Sequence, residues 1–107
     1  MTFEEKRTAP RFFVQVPTDY ENSHAGSGLT ENLSLSGVLI ESASSSIEVQ
    51  SEVQLRFAFF IGSSNTVFRG TVVRQSSDGF AVHFGDMDEA QLGVLRRIHQ
   101  LAPLASP

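Results

Sequence analysis

Residues 66–84 read Thr66-Val67-Phe68-Arg69-Gly70-Thr71-Val72-Val73-Arg74-Gln75-Ser76-Ser77-Asp78-Gly79-Phe80-Ala81-Val82-His83-Phe84. Two runs rich in β-branched and aromatic residues flank an Asp-Gly pair. Such residues suit a pleated, half-buried surface. Asp-Gly is favoured in two-residue hairpin loops, whose central residues take positive φ. The stretch therefore predicts two antiparallel strands that turn at Ser76–Gly79. His83 alternates with Val82 and Phe84, which predicts a half-buried strand histidine.

Upstream, the same strand character recurs at short intervals. Val53-Gln54-Leu55-Arg56-Phe57 alternates apolar and polar residues, Ala58-Phe59-Phe60-Ile61 is apolar throughout, and Gly62-Ser63-Ser64-Asn65 turns the chain. Gly37-Val38-Leu39-Ile40-Glu41 is a further apolar run, and Leu29–Leu33 alternates weakly. Arg11–Val16 predicts a first strand that Pro17-Thr18-Asp19 punctuates, and Glu21–Gly28 predicts a loop rich in Gly, Ser and Asn. Of the nine phenylalanines, Phe12, Phe13, Phe57, Phe59 and Phe60 are expected to fill the core. Downstream the period changes. Asp86, with Glu89 three residues on, predicts a helix start. Leu92, Leu95, Ile98 and Leu101 recur at helical spacing, and Pro103 predicts the stop. Six short strands at close turn spacing, followed by one helix over about 87–101, predict an all-β domain: a small barrel or sandwich with a C-terminal α-helix.

Composition narrows the class. The chain has 107 residues, 40% hydrophobic and 19% charged, which is one globular domain. It has no cysteine, which removes disulfide frameworks, Cys-containing zinc sites and thiol catalysis. Lys+Arg 8 against Asp+Glu 12 gives a net charge of -4, which argues against DNA or RNA as partner. The charge is uneven: residues 1–11 hold Lys6, Arg7 and Arg11 against Glu4 and Glu5, and all other residues sum to -5. No apolar run approaches the roughly 18–20 residues of a membrane span. The polar N-terminus lacks a signal-peptide core, so a cytoplasmic location without membrane insertion is expected. Residues 1–11 are expected to form a flexible tail, with the folded domain over 12–102.

Two clusters remain that secondary structure does not absorb. Arg7-Thr8-Ala9-Pro10-Arg11 sets two arginines four apart on a non-helical segment. Asn32-Leu33-Ser34-Leu35-Ser36-Gly37 joins two expected strands. Alone, the first reads as solvated surface and the second as a turn that caps its own backbone. His24, His83 and His99 lack zinc-ligand spacing, so no metal or other cofactor is expected. No Gly-x-Ser-x-Gly elbow supports a hydrolase.

In order, the two clusters resemble the RxxxR and (D/N)xSxxG motifs of PilZ domains, a family of bacterial receptors for the second messenger cyclic di-GMP. The resemblance extends over the strands and the closing helix. It implies a six-stranded antiparallel β-barrel (a Greek-key or split barrel) and a non-enzymatic nucleotide-binding role. It further implies ligand contacts from Arg7, Arg11, Asn32, Ser34 and Gly37; Lys6 and Arg74 are candidates for additional contacts. Lys6 stands where many members carry another arginine, and Asn32 where many carry aspartate. The chemistry is suited to the task. Arginine presents a planar fork to phosphate or to the O6/N7 edge of guanine. Asparagine accepts through its carbonyl oxygen without charge. Gly37 allows close approach. Arg69 and Arg74 either edge the same surface or are ordinary exposed strand residues. The implied output is an order–disorder switch of the N-terminal tail read by an unidentified downstream protein. The alternative is a PilZ-like protein-interaction adaptor that binds no nucleotide.

Overall fold

A computed structural model of the chain describes residues 13–23, 25–42 and 47–105, with side chains as far as residue 102. The elements are β1 (Pro17–Glu21), β2 (Ala25–Leu33), β3 (Gly37–Glu41), β4 (Glu52–Phe57), a 3-10 turn at Ser63–Asn65, β5 (Phe68–Ser76), β6 (Gly79–Phe84) and α1 (Glu89–Ala105). The six strands close into an antiparallel barrel in the order β1-β2-β3-β6-β5-β4. The expected six-stranded barrel with a C-terminal helix is therefore the observed fold. The connection from β3 to β4 crosses between opposite sides of the ring, which gives the Greek-key character.

Alternation along the strands sorts residues between the barrel interior and water. β4 alternates strictly, burying Val53, Leu55 and Phe57. Phe57 meets Phe68 and Phe84 edge-to-face, with ring centroids 5.0 and 6.4 Å apart, and Phe68 and Phe84 lie tilted to each other at 5.6 Å. Tyr20 meets Phe80 edge-on at 4.9 Å, and the Tyr20 and Ser42 hydroxyls pair at 2.9 Å. The aromatic core thus comes chiefly from β4, β5 and β6. Phe13 is 75% exposed, Phe59 and Phe60 are half-buried, and Phe12 lies outside the described residues. Phe13 faces out because Val14 and Val16 take the inward positions.

The first strand differs from the expectation. Residues 13–16 are not a strand, and β1 begins at Pro17 itself. A proline is tolerated at the first residue of a strand, where its missing N–H breaks no ladder bond. The preceding segment is held by a side chain instead. The Thr30 hydroxyl donates to the Val14 carbonyl and accepts from the Val16 N–H at 2.8 Å, while Thr30 N–H donates to the Val16 carbonyl at 3.1 Å. The stretch read as a loop, Glu21–Gly28, is largely the β1–β2 hairpin, with Glu21 paired to Ala25 and Tyr20 to Gly26.

The Asp78-Gly79 turn falls where the sequence placed it, between β5 and β6. At the other end of β5 the chain is held by Ser63. Its buried hydroxyl donates to the Phe57 carbonyl at 2.6 Å and accepts from Phe59 and Phe60 N–H. Gly62 turns there with φ 86, the left-handed region that favours glycine.

The helix begins with a reciprocal cap, but one shifted from Asp86 and Glu89. Asp88 Oδ1 accepts from Gln91 N–H at 2.9 Å, and Gln91 Oε1 accepts from Asp88 N–H at 2.8 Å. Gln91 also donates to the Val67 carbonyl at 2.8 Å, which ties the helix to the start of β5. That second bond explains why the cap sits here: Gln91 reaches both partners. The buried stripe is Val94, Leu95, Ile98 and Ala102, with Leu92 and Leu101 on its half-buried edges. The helix runs to Ala105, two residues past Pro103. One missing amide donor near a helix end costs a single bond.

Candidate functional site

The Asn32–Gly37 run forms the corner between β2 and β3. Ser34 Oγ accepts from Ser36 N–H at 3.1 Å and Gly37 N–H at 3.2 Å, and Ser34 N–H donates to the Gly37 carbonyl at 2.9 Å. Ser34 is 4% exposed. Its hydroxyl is therefore occupied in closing the turn. The Ser36 carbonyl accepts from Phe84 N–H at 2.9 Å, which pins the corner to β6. Gly37 is required by the same packing, since a Cβ there would lie 2.5 Å from the Val82 carbonyl oxygen. Serine and glycine of this run thus shape the surface on which Asn32 stands.

That surface is built by two β-bulges. In β2 the register passes from Thr30↔Ile40 to Asn32↔Leu39, so Glu31 is the extra residue. In β5 it passes from Val72↔Val82 to Arg74↔Ala81, so Val73 is the extra residue. Leu39 pairs directly with Ala81. A single cross-strand row therefore runs Asn32–Leu39–Ala81–Arg74 over β2, β3, β6 and β5. Strands lie about 4.8 Å apart, so the row spans roughly 14 Å. Each end carries a bulge, which bends and twists the strand and re-aims its side chains. Half-buried Leu39 and Ala81 form a low apolar floor between them.

An open pocket of about 250 Å³ occupies one half of this trough, walled by Asn32, Ser34, Ser36, Gly37, Val73, Arg74 and His83. A second of about 220 Å³ shares Leu39, Ala81 and Arg74 and is bordered by Glu31, Glu41 and Asp78. The two lobes differ in charge. The first has no carboxylate in its wall and the second has three.

The sequence-derived residues distribute as follows. Asn32, Ser34, Gly37 and Arg74 border one pocket. Arg69 does not join them: it lines a separate depression with Glu21, Asn22, Glu52 and Gln54. Lys6, Arg7 and Arg11 lie outside the described residues. His83, expected half-buried, is exposed on the outer face and lines the pocket, because Val82 and Phe84 take both neighbouring inward positions. Glu31 and His83 were missed as pocket residues. Strict strand alternation already put His83 opposite Val82 and Phe84, and that was the available signal. Among the described residues no group of three His, Asp or Glu side chains is placed to hold a metal ion. No described helix is long and apolar enough to cross a membrane.

A family model for the PilZ domain matches residues 5–100. The chain belongs to the PilZ domain family. PilZ domains are generally cyclic di-GMP receptors and adaptors, not enzymes. Two solved structures share the fold. The PilZ domain of CeSA from a cellulose-synthesizing bacterium superimposes with a TM-score of 0.71 at 18% identity, covering 86% of this chain and 97% of that one. The Bacillus subtilis Inhibitor of motility (MotI/DgrA) gives a TM-score of 0.71 at 12% identity, covering 95% of this chain. This PilZ chain spans about half, 54%, of that protein's length. No curated protein matches the sequence.

Proposed function

We propose that this PilZ domain is a receptor for cyclic di-GMP, which lies in the trough between the two bulges and is covered by the segment carrying Lys6, Arg7 and Arg11. The observation that carries the reading is the placement of Asn32 and Arg74 at opposite ends of one outward row, over an apolar floor wide enough for a purine. Arg74 offers a planar fork to a phosphate or to guanine O6 and N7. Asn32 offers its amide to a guanine edge. Ser34 and Gly37 act mainly by setting the corner that holds Asn32. The arginine segment joins the barrel at Val14–Val16, which Thr30 fastens to β2 two residues before Asn32.

Charge-assisted bonds to the two phosphates offset the entropy of ordering that segment. The ordered segment changes the barrel surface, and a downstream protein reads the change. No chemistry on the ligand is part of this reading, and a cytoplasmic location accompanies it.

A second reading has one specific observation in its favour. Ser34 and Gly37 are fully accounted for by the turn and by β6 packing, so this half of the motif serves the fold with or without a nucleotide. On that reading the domain is an adaptor acting through protein contacts alone. A thermal-denaturation titration separates the two. Ligand at about 100 times its dissociation constant stabilises a receptor by about 2.7 kcal/mol, a rise of roughly 10–20 °C in midpoint. An unchanged midpoint at saturating cyclic di-GMP leaves the adaptor.

A further inference from the structure

His83 stands in the row next to Asn32 and Arg74, paired on one side with Gly37 of β3 and on the other with Thr71 of β5. It is two residues along β6 from Ala81, which pairs with Arg74, so the His83 and Arg74 backbones are about 8–9 Å apart on the outer face. Both side chains are exposed and border the same 250 Å³ pocket. The wall of that pocket contains no carboxylate, whereas the adjoining lobe is bordered by Glu31, Glu41 and Asp78. An anionic group entering the trough is therefore steered to the lobe of Arg74 and His83. The donor-rich edge of guanine is steered to the β2 end of the trough, where Asn32 and the neighbouring carboxylate of Glu31 accept from its N–H groups.

From this asymmetry we infer that His83 is a phosphate-contacting residue, and that its protonated form tightens binding of the cyclic dinucleotide. The inference rests on the receptor reading above and adds an orientation and a pH response to it. Imidazole is the side chain whose charge ordinarily changes in the neutral range. From the β2–β3 corner, the uncharged polar side chains of Asn32, Ser34 and Ser36 share the pocket wall with His83. Arg74 and Thr71 come from β5, Gly37 of β3 brings no side chain, and Glu52 follows Thr71 one strand further on β4. Arg69, near β6 through the bond from Gly85 N–H to its carbonyl, lies toward the opposite end of β5 from Arg74. With Arg74 always charged, a phosphodiester between the two side chains favours the imidazolium, so affinity rises as pH falls.

The test is calorimetric titration of cyclic di-GMP into wild type, His83→Gln and His99→Gln at about pH 6 and about pH 8. Wild type and His99→Gln are expected to bind about fivefold tighter at the lower pH, a modest factor because the pair is solvent-exposed. His83→Gln is expected to lose that difference. Binding that is equally tight at both pH values in wild type, or a pH response that survives in His83→Gln, overturns the role of His83 and leaves the receptor reading intact. No binding by wild type at either pH overturns the receptor reading and this inference with it.

Discussion

Asn32 of β2 and Arg74 of β5 terminate one outward row, separated by the directly paired Leu39 and Ala81, and each sits at a β-bulge. Together the bulges double the outward side chains at both ends of the row, with Glu31 beside Asn32 and Val73 beside Arg74. The closed barrel supplies rigidity, and the bulges supply the trough.

Arg74→Ala should weaken cyclic di-GMP binding without loss of fold, because the side chain is exposed and makes no described ion pair. A hydrogen bond to a charged group contributes about 1.5–3 kcal/mol, or roughly ten- to a hundredfold in affinity. Arg69→Ala, on a different face, should leave affinity unchanged. Titration calorimetry of the two variants checks the assignment; equal losses would refute it.

Asn32→Asp should tighten binding several-fold, and Asn32→Ala should weaken it. A carboxylate accepts from both guanine N1 and N2, and charge-assisted bonds are about twice as strong as neutral ones. Affinities ranked in another order would remove Asn32 from the guanine edge.

Ser34→Ala should act on stability first. It removes an acceptor from two backbone N–H groups in a half-buried corner, at a cost of about 1–3 kcal/mol. For a domain near 100 residues each kcal/mol is worth about 4–8 °C of midpoint. Gly37→Val should be worse, because its Cβ meets the Val82 carbonyl. Thermal denaturation monitored by circular dichroism reads both; an unchanged midpoint for Ser34→Ala would mean that the hydroxyl serves the ligand and not the turn.

Phe68→Ala should cost about 3–5 kcal/mol, since this fully buried ring meets both Phe57 and Phe84. Phe13→Ala, at an exposed position, should cost little. Urea denaturation of both variants tests whether the aromatic core lies where the barrel places it.

The fold was legible where local chemistry and tertiary pairing agree. Asp78-Gly79 demands a hairpin, β4 alternates strictly, and the period changes after Phe84 into a helix. It was least legible at β2. Ala25, Gly26, Ser27 and Gly28 have weak strand propensity and read as a loop, yet all four pair with β1. Their strand conformation is imposed by neighbours, not by composition. The same holds for Pro17, which reads as a stop and serves as a strand start. At the site, the corner of Asn32–Gly37 was visible as a motif. The bulges at Glu31 and Val73 were not, because register is a property of two strands at once. Without the register, neither the outward row nor the grouping of Arg74 with His83 can be drawn.

The central claim is that an arginine-bearing segment closes a cyclic dinucleotide into the trough beside Asn32. It is tested most directly by calorimetric titration of cyclic di-GMP into wild type, Arg7→Ala and Arg11→Ala at one fixed pH. The account predicts heat of binding for wild type and a loss of roughly ten- to a hundredfold in affinity for each variant. Wild-type protein that gives no heat at tens of micromolar ligand, or arginine variants that bind as tightly as wild type, would contradict it.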